Sequence, residues 1–184
     1  MFTMNDFVKE DNPVLRKVAE EVILPPSQED KQILNDLMDY VRNSQNSEIA
    51  TQYGLRAGIG LAAPQVNISK RMIAVHLKNE KGDLVSHALF NPKLVSHSLE
   101  MSYLTAGEGC LSVNRTVSGY VPRYARIKVS GTNLEGEVVK LRLKGIAAIC
   151  FQHEIDHLNG IMFYDHINAE DPFDIPEDYI PIER

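Results

Sequence analysis

The hydrophobic residues of the first forty-five positions recur with a helical period. Ser27 is a typical N-cap residue, and Asp30 takes the acidic position of a capping box. The apolar residues that follow fall on one helix face: Ile33, Leu34, Leu37, Met38 and Val41. Asn12 and Pro13 predict the start of an earlier helix, which the Pro25-Pro26 pair ends. We therefore expect N-terminal helices that pack one face on the core.

Beyond Gly58 the pattern changes to short runs of Val, Ile and Leu between turns. These runs predict five strands, at residues 71–77, 84–90, 116–121, 125–130 and 138–143. No helical segment lies between them, which favours antiparallel pairing over βαβ units. Residues 43–57 show neither the helical nor the strand pattern of apolar residues, and they predict a polar loop or a short exposed helix. The fold class we expect is α+β, with antiparallel β-sheets packed around a buried central helix.

The candidate for that central helix is residues 146–158. Its residues are apolar on nearly all sides, which is typical of a helix in the middle of a domain. The same segment carries two histidines, a glutamate and an aspartate in the sequence His153-Glu154-Ile155-Asp156-His157. Titratable groups on a buried helix cost free energy unless an ion or a partner satisfies them. This conflict indicates where the chemistry lies.

Length and charge limit the possible functions. The chain has 184 residues and a net charge of −6, so we expect one domain over 1–184 with an acidic, extended tail at 165–184. The charge argues against direct nucleic-acid binding and against anionic membranes. No run of apolar residues is long enough to span a bilayer, and the N-terminus resembles no secretion signal. With only two cysteines, these features predict a cytoplasmic protein.

The segment His153 to His157 is an H-E-x-x-H motif. Histidines four residues apart lie one helical turn apart on one face, so both rings can reach one metal ion. Glu154 is rotated about 100° from His153, beside the ion, where a general base belongs. A catalytic site needs a third ligand and one open position. The motif therefore predicts a catalytic metal site.

Several residues compete for the third ligand position. Metzincins place a histidine six residues after the second one, but Phe163 stands there. Glu177 has the spacing of a downstream glutamate ligand but lies in a proline-broken segment, and His166 is a weaker candidate. Cys110 follows Gly109, where the backbone can approach a ligand closely. Beside an incomplete H-E-x-x-H motif, the thiol of Cys110 is the favoured third ligand.

Three segments together resemble the peptide deformylase family, whose members remove the formyl group from the N-terminal methionine of nascent chains. They read G-I-G-L-A-A-P-Q at 58–65, E-G-C-L-S at 108–112 and Q-H-E-I-D-H at 152–157. The resemblance covers about residues 5–168, and the insertion at 43–57 is similar to the longer, type II branch of Gram-positive bacteria.

The resemblance implies roles for individual residues. It implies one divalent metal ion, expected to be Fe²⁺ although purified protein can also hold Zn²⁺, Ni²⁺ or Co²⁺, with three ligands: Cys110, His153 and His157. It implies Glu154 as general base and acid towards a metal-bound water. The Gln65 amide and the Leu111 N–H are then the donors that stabilise the oxyanion.

Substrate binding can also be outlined. Gly58 and Gly60 expose backbone with which an extended peptide can pair, although both glycines also suit a simple tight turn. Further substrate-contacting candidates, most of them apolar, are Ile59, Gly109, Ile146, Ile149 and Cys150. We expect a buried ion pair between Asp156 and Arg123. The expected partners are N-formylmethionyl peptides and nascent chains, met transiently at the ribosome by a monomeric enzyme.

Two other functions compete with deformylation. A zincin-like metallopeptidase would use the same base on internal peptide bonds, and it predicts a third histidine or a helical glutamate ligand. A non-catalytic metal-binding or peptide-binding module predicts a closed site with four protein ligands and assigns no role to Glu154 or Gln65.

Overall fold

Eight strands form two sheets in residues 1–183, which the computed structural model describes. In chain order they are β1 (Gly60–Ala62), β2 (Met72–Lys78), β3 (Leu84–His97), β4 (Met101–Leu104), β5 (Arg123–Tyr124), β6 (Arg126–Thr132), β7 (Val138–Lys144) and β8 (Ile180–Ile182). The larger sheet is antiparallel throughout, in the order β1-β2-β3-β6-β7. The smaller sheet has the order β5-β4-β8, and its β4–β8 pair is parallel.

Three α-helices accompany the sheets: α1 (Gln28–Ser44), α2 (Ser47–Tyr53) and α3 (Gly145–Leu158). Single 3₁₀ turns occupy Met4–Asp6, Pro13–Arg16, Ala63–Val66 and Phe163–His166. The predicted cap of α1 is confirmed, because the Ser27 hydroxyl accepts a hydrogen bond of 3.0 Å from the Asp30 N–H. Of the two alternatives for residues 43–57, the structure has the short helix, which Asn46 caps.

The larger sheet lies between α1 and α3, and α3 also contacts β4 and β5 of the smaller sheet. Alternate residues of β2 face opposite sides. Met72 and Ala74 belong to the cluster with α1, whereas Ile73 and Val75 belong to the cluster with α3. Because helices cover both faces, five of the seven residues of β2 are buried. The expected α+β class with antiparallel sheets is confirmed.

Two predicted elements are wrong. Residues 116–121 form no strand, because the Tyr120 N–H bonds to the Pro172 carbonyl rather than to a sheet. Gly119 has φ +133°, and a Cβ there would lie 2.9 Å from the Pro172 oxygen, so the segment bends under the C-terminal chain. The helix predicted from Asn12 and Pro13 is only one 3₁₀ turn.

The C-terminal residues cross the smaller sheet. After the 3₁₀ turn at Phe163–His166, the chain runs through turns to β8, where Ile182 pairs with Leu104. The division into one domain with a separate tail stays a prediction. Within residues 1–183, no helix has both the length and the apolar character needed to cross a bilayer.

Candidate active site

Helix α3 brings the H-E-x-x-H residues into a cleft. His153 and His157 lie one turn apart, and their ring centroids are 4.9 Å from each other. The segment after β4 runs past this turn and carries Cys110, whose Sγ lies 3.3 Å from His157 Nε2. Candidate ligand atoms of these three residues all lie within 4.8 Å of one another. The structure thus gathers one thiol and two imidazoles, all from residues predicted to bind metal.

The other candidates for the third ligand lie elsewhere. His166 Nε2 lies 2.8 Å from an Asp156 carboxylate oxygen, so this ring has a different partner. Phe163 stacks on the His153 ring with centroids 5.9 Å apart, which makes it a packing neighbour. Glu177 is exposed in the C-terminal chain. Only Cys110 of these candidates belongs to the cluster with His153 and His157.

Glu108 sets the orientation of His153. His153 Nδ1 lies 2.8 Å from a Glu108 carboxylate oxygen, which can only accept a hydrogen bond. Nδ1 therefore carries a proton, and the Nε2 lone pair is left for a metal ion. Burial raises the pKa of Glu108, but the charge and hydrogen bonds of Arg123 and the bond from His153 outweigh it and lower the pKa to about 2.

Arg123 connects the Glu108 carboxylate to helix α3. Its Nε and Nη2 atoms donate to Glu108 at 2.8 and 2.9 Å, and Nη1 donates to Asp156 at 2.5 Å. The Arg123 and Glu108 side chains are each only 3% exposed. The predicted ion pair between Arg123 and Asp156 is confirmed. Glu108 is a further partner of the pair that the sequence argument missed, although it stands two residues before Cys110 in the E-G-C-L-S motif.

The donor set fits a divalent metal ion. Burial holds the pKa of His157 well below its usual value, so this imidazole is neutral and has a lone pair to donate. The separation of 3.3 Å between Cys110 Sγ and His157 Nε2 suits neighbouring ligands of one ion, whose bonds are about 2.0–2.3 Å long. A mixed thiolate and imidazole set accepts both iron and zinc. The Nδ1 atom of His157 is buried and has no hydrogen-bond partner within residues 1–183.

Glu154 is buried beside the cluster. Its Oε2 atom has no hydrogen-bond partner in the described chain, and burial raises the pKa of the carboxyl to about 7. The main chain of β1 passes close to the Glu154 carboxyl group. A Cβ on Gly60 would lie 2.9 Å from the Glu154 carboxyl carbon and 2.8 Å from Cys150 Sγ, so only glycine allows this approach. A carboxyl with such a pKa can both take up and release a proton near neutral pH.

Gln65 and Leu111 lie on the other side of the thiol. Gln65 Oε1 accepts a hydrogen bond of 2.9 Å from the Ala62 N–H, which fixes the orientation of the amide. Its Nε2 therefore points towards the cluster and lies 3.3 Å from Cys110 Sγ. Leu111 follows Cys110 directly in the chain and lines the same cleft. The Gln65 NH₂ group is therefore an oriented donor next to the thiol.

All the predicted substrate-binding residues line one cleft of about 180 Å³: Gly58, Ile59, Gly60, Gly109, Ile146, Ile149 and Cys150. Arg56 and Leu104 line it as well and were missed. Arg56 stands two residues before the G-I-G-L-A-A-P-Q motif, which was the available signal. Leu104 belongs to a short strand that no local pattern indicated.

A family model described as polypeptide deformylase matches residues 4–173. The chain belongs to the peptide deformylase family. Peptide deformylase 2 of Geobacillus stearothermophilus is 68% identical over 184 residues, and that of Bacillus subtilis is 62% identical, each covering 100% of both chains. This deformylase is therefore an enzyme, a hydrolase, and the alternative of a non-catalytic binding module is wrong.

Solved deformylases share the fold. The crystal structure from Thermotoga maritima is 34% identical, covers 89% of this chain and 97% of its own, and has a TM-score of 0.67. A class I type b deformylase from Acinetobacter baumannii, described as bound to Met-Ala-Ser, is 34% identical with a TM-score of 0.68, covering 88% of this chain and 96% of its own. The fold and the family membership of this chain therefore agree.

Proposed function

We propose that this deformylase hydrolyses the formamide of N-formylmethionyl peptides with the residues of the α3 cleft, releasing formate and a free amino terminus. One observation carries the proposal. A three-ligand cluster, a buried carboxyl with a pKa of about 7 and an oriented amide donor converge in one cleft. Hydrolysis of an unactivated amide needs these three elements: an electrophile, a base and an oxyanion site.

Cys110, His153 and His157 would hold the divalent ion. When bound, the ion supplies Lewis-acid chemistry, acidifying water and polarising a carbonyl oxygen. Three protein ligands leave one coordination position open, as catalysis requires. Glu108 fixes the tautomer of His153 by accepting its Nδ1 hydrogen bond, and Arg123 holds Glu108 in place. We expect Fe²⁺ in the cell, on the family resemblance.

Glu154 moves the proton. Its carboxylate takes a proton from the attacking water while the oxygen bonds to the formyl carbon. The same carboxyl then donates that proton to the formamide nitrogen as the bond between this nitrogen and the formyl carbon breaks. The amine leaves neutral, and the second water proton stays on the product as formic acid, which ionises to formate in water. The pKa of about 7 suits both directions of transfer. Helix α3 and the β1 main chain exclude bulk water around the carboxyl.

Gln65 and Leu111 stabilise the oxyanion. The formyl oxygen gains negative charge as the carbon becomes tetrahedral, and donors that are already oriented stabilise that charge without reorganisation. The bond from Ala62 N–H leaves the Gln65 NH₂ group as the part of the amide that faces the cluster. The Leu111 N–H contributes the second donor from the residue after Cys110.

The substrate peptide lies along the open edge of β1. The His76 N–H bonds to the Ile59 carbonyl, so backbone alternation turns the polar groups of Gly60 to the open edge. The backbone groups of Gly58 are bonded to Ser44 and Gln45, which leaves Gly60 as the pairing residue. Gly109 provides the facing wall of the cleft. A substrate strand added here presents its first side chain to the apolar part of the cleft.

That apolar part is the methionine pocket. Ile146, Ile149 and Cys150 lie one to two turns before His153 on α3, and Ile59 joins them from β1. An unbranched thioether fills an irregular apolar pocket well. The Acinetobacter baumannii relative described as bound to Met-Ala-Ser supports a peptide with an amino-terminal methionine as the product. The expected meeting with nascent chains at the ribosome, and the monomeric state, stay predictions.

Formate release from formyl-Met-Ala-Ser tests the function. We expect anaerobically purified wild type to release formate, and Glu154→Gln to lose at least about 10²-fold in kcat with its metal content unchanged. Glu48→Gln, an exposed change on α2, is the matched control and should keep full activity. Metal-loaded wild type that releases no formate would overturn the function, and an active Glu154→Gln would overturn only the role of that residue.

A further inference from the structure

The path of the substrate peptide beyond its methionine follows from the two ends of β1. The residues after Gly60, at 61–66, are all buried, and Gln65 among them lies beside Cys110. The residues before Gly60, at 56–59, are exposed or half-buried. A peptide whose formyl group meets the ligand cluster therefore has one open direction. The chain after the methionine runs from Gly60 towards Arg56.

Arg56 brings a positive charge to this open end of the cleft. Among the lysines, arginines and acids that line the described cleft, only Arg56 is exposed. Glu108 is 3% exposed and paired with Arg123, and Glu154 is 4% exposed. The Arg56 guanidinium turns to the cleft wall, where its Nη1 atom lies 3.4 Å from the Leu111 carbonyl oxygen. The charge thus stands beside the path of the peptide.

A second cation lies next to this guanidinium. Arg56 Nη1 donates to Asn114 Oδ1 at 3.0 Å, and Lys9 Nζ donates to the same oxygen at 3.3 Å. Two positive charges that share one neutral acceptor repel each other. A carboxylate placed between them would replace this repulsion with two attractions.

No carboxylate of residues 1–183 pairs with Lys9 or Arg56. Glu10 follows Lys9 in the chain but pairs with Arg115. Arg115 itself follows Asn114, so the fold supplies a carboxylate to the neighbour of the two cations and not to the cations. Lys9 and Arg56 therefore keep their charges for a group from outside the chain.

We infer that Lys9, Arg56 and Asn114 form a subsite for a carboxylate side chain of the substrate, carried by one of the three residues after the methionine. The inference rests on the proposed function, which brings the peptide into the cleft. A strand advances about 3.3 Å per residue, so the third residue beyond Gly60 comes within one residue of Arg56 along this edge. The planar guanidinium matches a carboxylate with two hydrogen bonds, and the Lys9 ammonium adds a point charge. Formylated peptides with an early aspartate or glutamate are the substrates that this deformylase favours.

Matched peptides test the subsite. Each is an amidated formyl-Met tetrapeptide of otherwise alanine residues, with aspartate at the second, third or fourth position, and its partner carries asparagine there. The amide removes the terminal carboxylate, and asparagine has nearly the shape of aspartate without its charge. For at least one position we expect kcat/KM to be about fivefold or more higher for aspartate in about 20 mM salt, through a lower KM. About 0.5 M salt should reduce the difference to less than about twofold, because the charges are exposed.

Three variants separate recognition by charge from support of the loop. Asn114→Asp supplies the missing carboxylate from within the chain with almost no change of shape, and we expect it to abolish the preference for aspartate. Lys9→Gln combined with Arg56→Gln should abolish it as well. Arg56→Lys keeps the charge and should retain a preference of about twofold or more. A residue that only held the Leu111 main chain in place would show no such rescue.

A fourth variant controls for net charge. Lys128→Gln combined with Lys140→Gln removes two charges from exposed positions of the β6–β7 hairpin, outside the cleft, and should keep the full preference. Equal kcat/KM for aspartate and asparagine at all three positions would overturn the inference and leave the deformylase function intact. So would a preference that survives Asn114→Asp, or one that the control loses to the same extent. If metal-loaded wild type released formate from none of the peptides, the proposed function would fall, and the subsite with it.

Discussion

The chemistry of single residues in the cleft depends on the partners behind them. The His153 imidazole donates through Nδ1 to Glu108, so its other nitrogen is the one that faces the cluster. A full carboxylate in this position also makes the ring a stronger metal ligand. With its pKa lowered to about 2, Glu108 is ionised at neutral pH. Glu108 is therefore a positioning residue for metal binding.

Replacing this carboxylate tests the argument. Glu108→Gln keeps a hydrogen-bond acceptor for His153 but removes the negative charge, and we expect metal affinity to fall about 10–100-fold. Competition with a chelator of known affinity measures the change. Glu10→Gln, which alters an exposed partner of Arg115, is the control and should bind metal like wild type. Unchanged affinity in a Glu108→Gln protein of lower stability would show that Glu108 only supports the fold.

Between elements, Arg123 of β5 links the smaller sheet to α3. It is buried between Glu108 and Asp156, and removing it leaves both carboxylates without their cation. We expect Arg123→Met to lower the free energy of unfolding by about 3–5 kcal/mol, since an unpaired buried charge is costly. Chemical denaturation measures the loss. Arg115→Met breaks the exposed pair with Glu10 and should cost about 1 kcal/mol or less. Equal losses in the two variants would contradict the central role of Arg123.

The start of α1 depends on a second carboxylate, Asp30. Burial raises its pKa, but hydrogen bonds from Lys70 and Ser27 outweigh burial and lower it. A lowered pKa in the folded state means that ionised Asp30 stabilises the protein above its unfolded pKa of about 3.9. That stability is lost as the pH falls through the folded pKa. Asp30→Asn should therefore be less stable by about 1 kcal/mol at pH 7 and nearly equal to wild type near pH 2.

Urea unfolding of both proteins at several pH values measures this difference. A control is Asp36→Asn, which removes an acid from a more exposed position on the same helix. The stability difference between wild type and Asp30→Asn should depend on pH more strongly than the difference between wild type and this control. A difference in unfolding free energy between wild type and Asp30→Asn that stays constant down to pH 2 would show that ionised Asp30 does not supply this stability.

Elements with local signals could be predicted from the sequence, and elements with distant partners could not. Helix α1 has its cap and its apolar face within 17 residues, and α3 combines an apolar run with a metal motif. Strand β4 pairs with β8, which lies far along the chain, and no local pattern encodes that contact. Residues 116–121 have the composition of a strand but bond to Pro172 instead. The cleft could be predicted because its residues stand in three dense motifs, whereas Leu104 stands outside them.

For the whole molecule, the ligand cluster connects segments that are far apart in the chain. Cys110 follows β4, and the two histidines lie on α3 beneath the larger sheet. A ligand that binds only the folded state stabilises it by RT ln(1 + [L]/Kd), which is about 4 kcal/mol at a thousandfold excess over Kd. For a chain of this size that corresponds to a change of about 10 °C in Tm. Metal binding should therefore stabilise the entire fold.

Metal removal tests this coupling. We expect anaerobic treatment with a chelator to lower the Tm of wild type by about 10 °C, and added Fe²⁺ or Zn²⁺ to restore it. Cys110→Ser should begin near the lower Tm and respond little to chelator or metal, because the thiolate ligand is gone. Scanning calorimetry measures the Tm of wild type and of Cys110→Ser, each with metal and after chelator treatment. If metal raises the Tm of Cys110→Ser as much as that of wild type, Cys110 is not a ligand. If chelator treatment leaves the Tm of wild type unchanged, metal binding is not coupled to the stability of the fold.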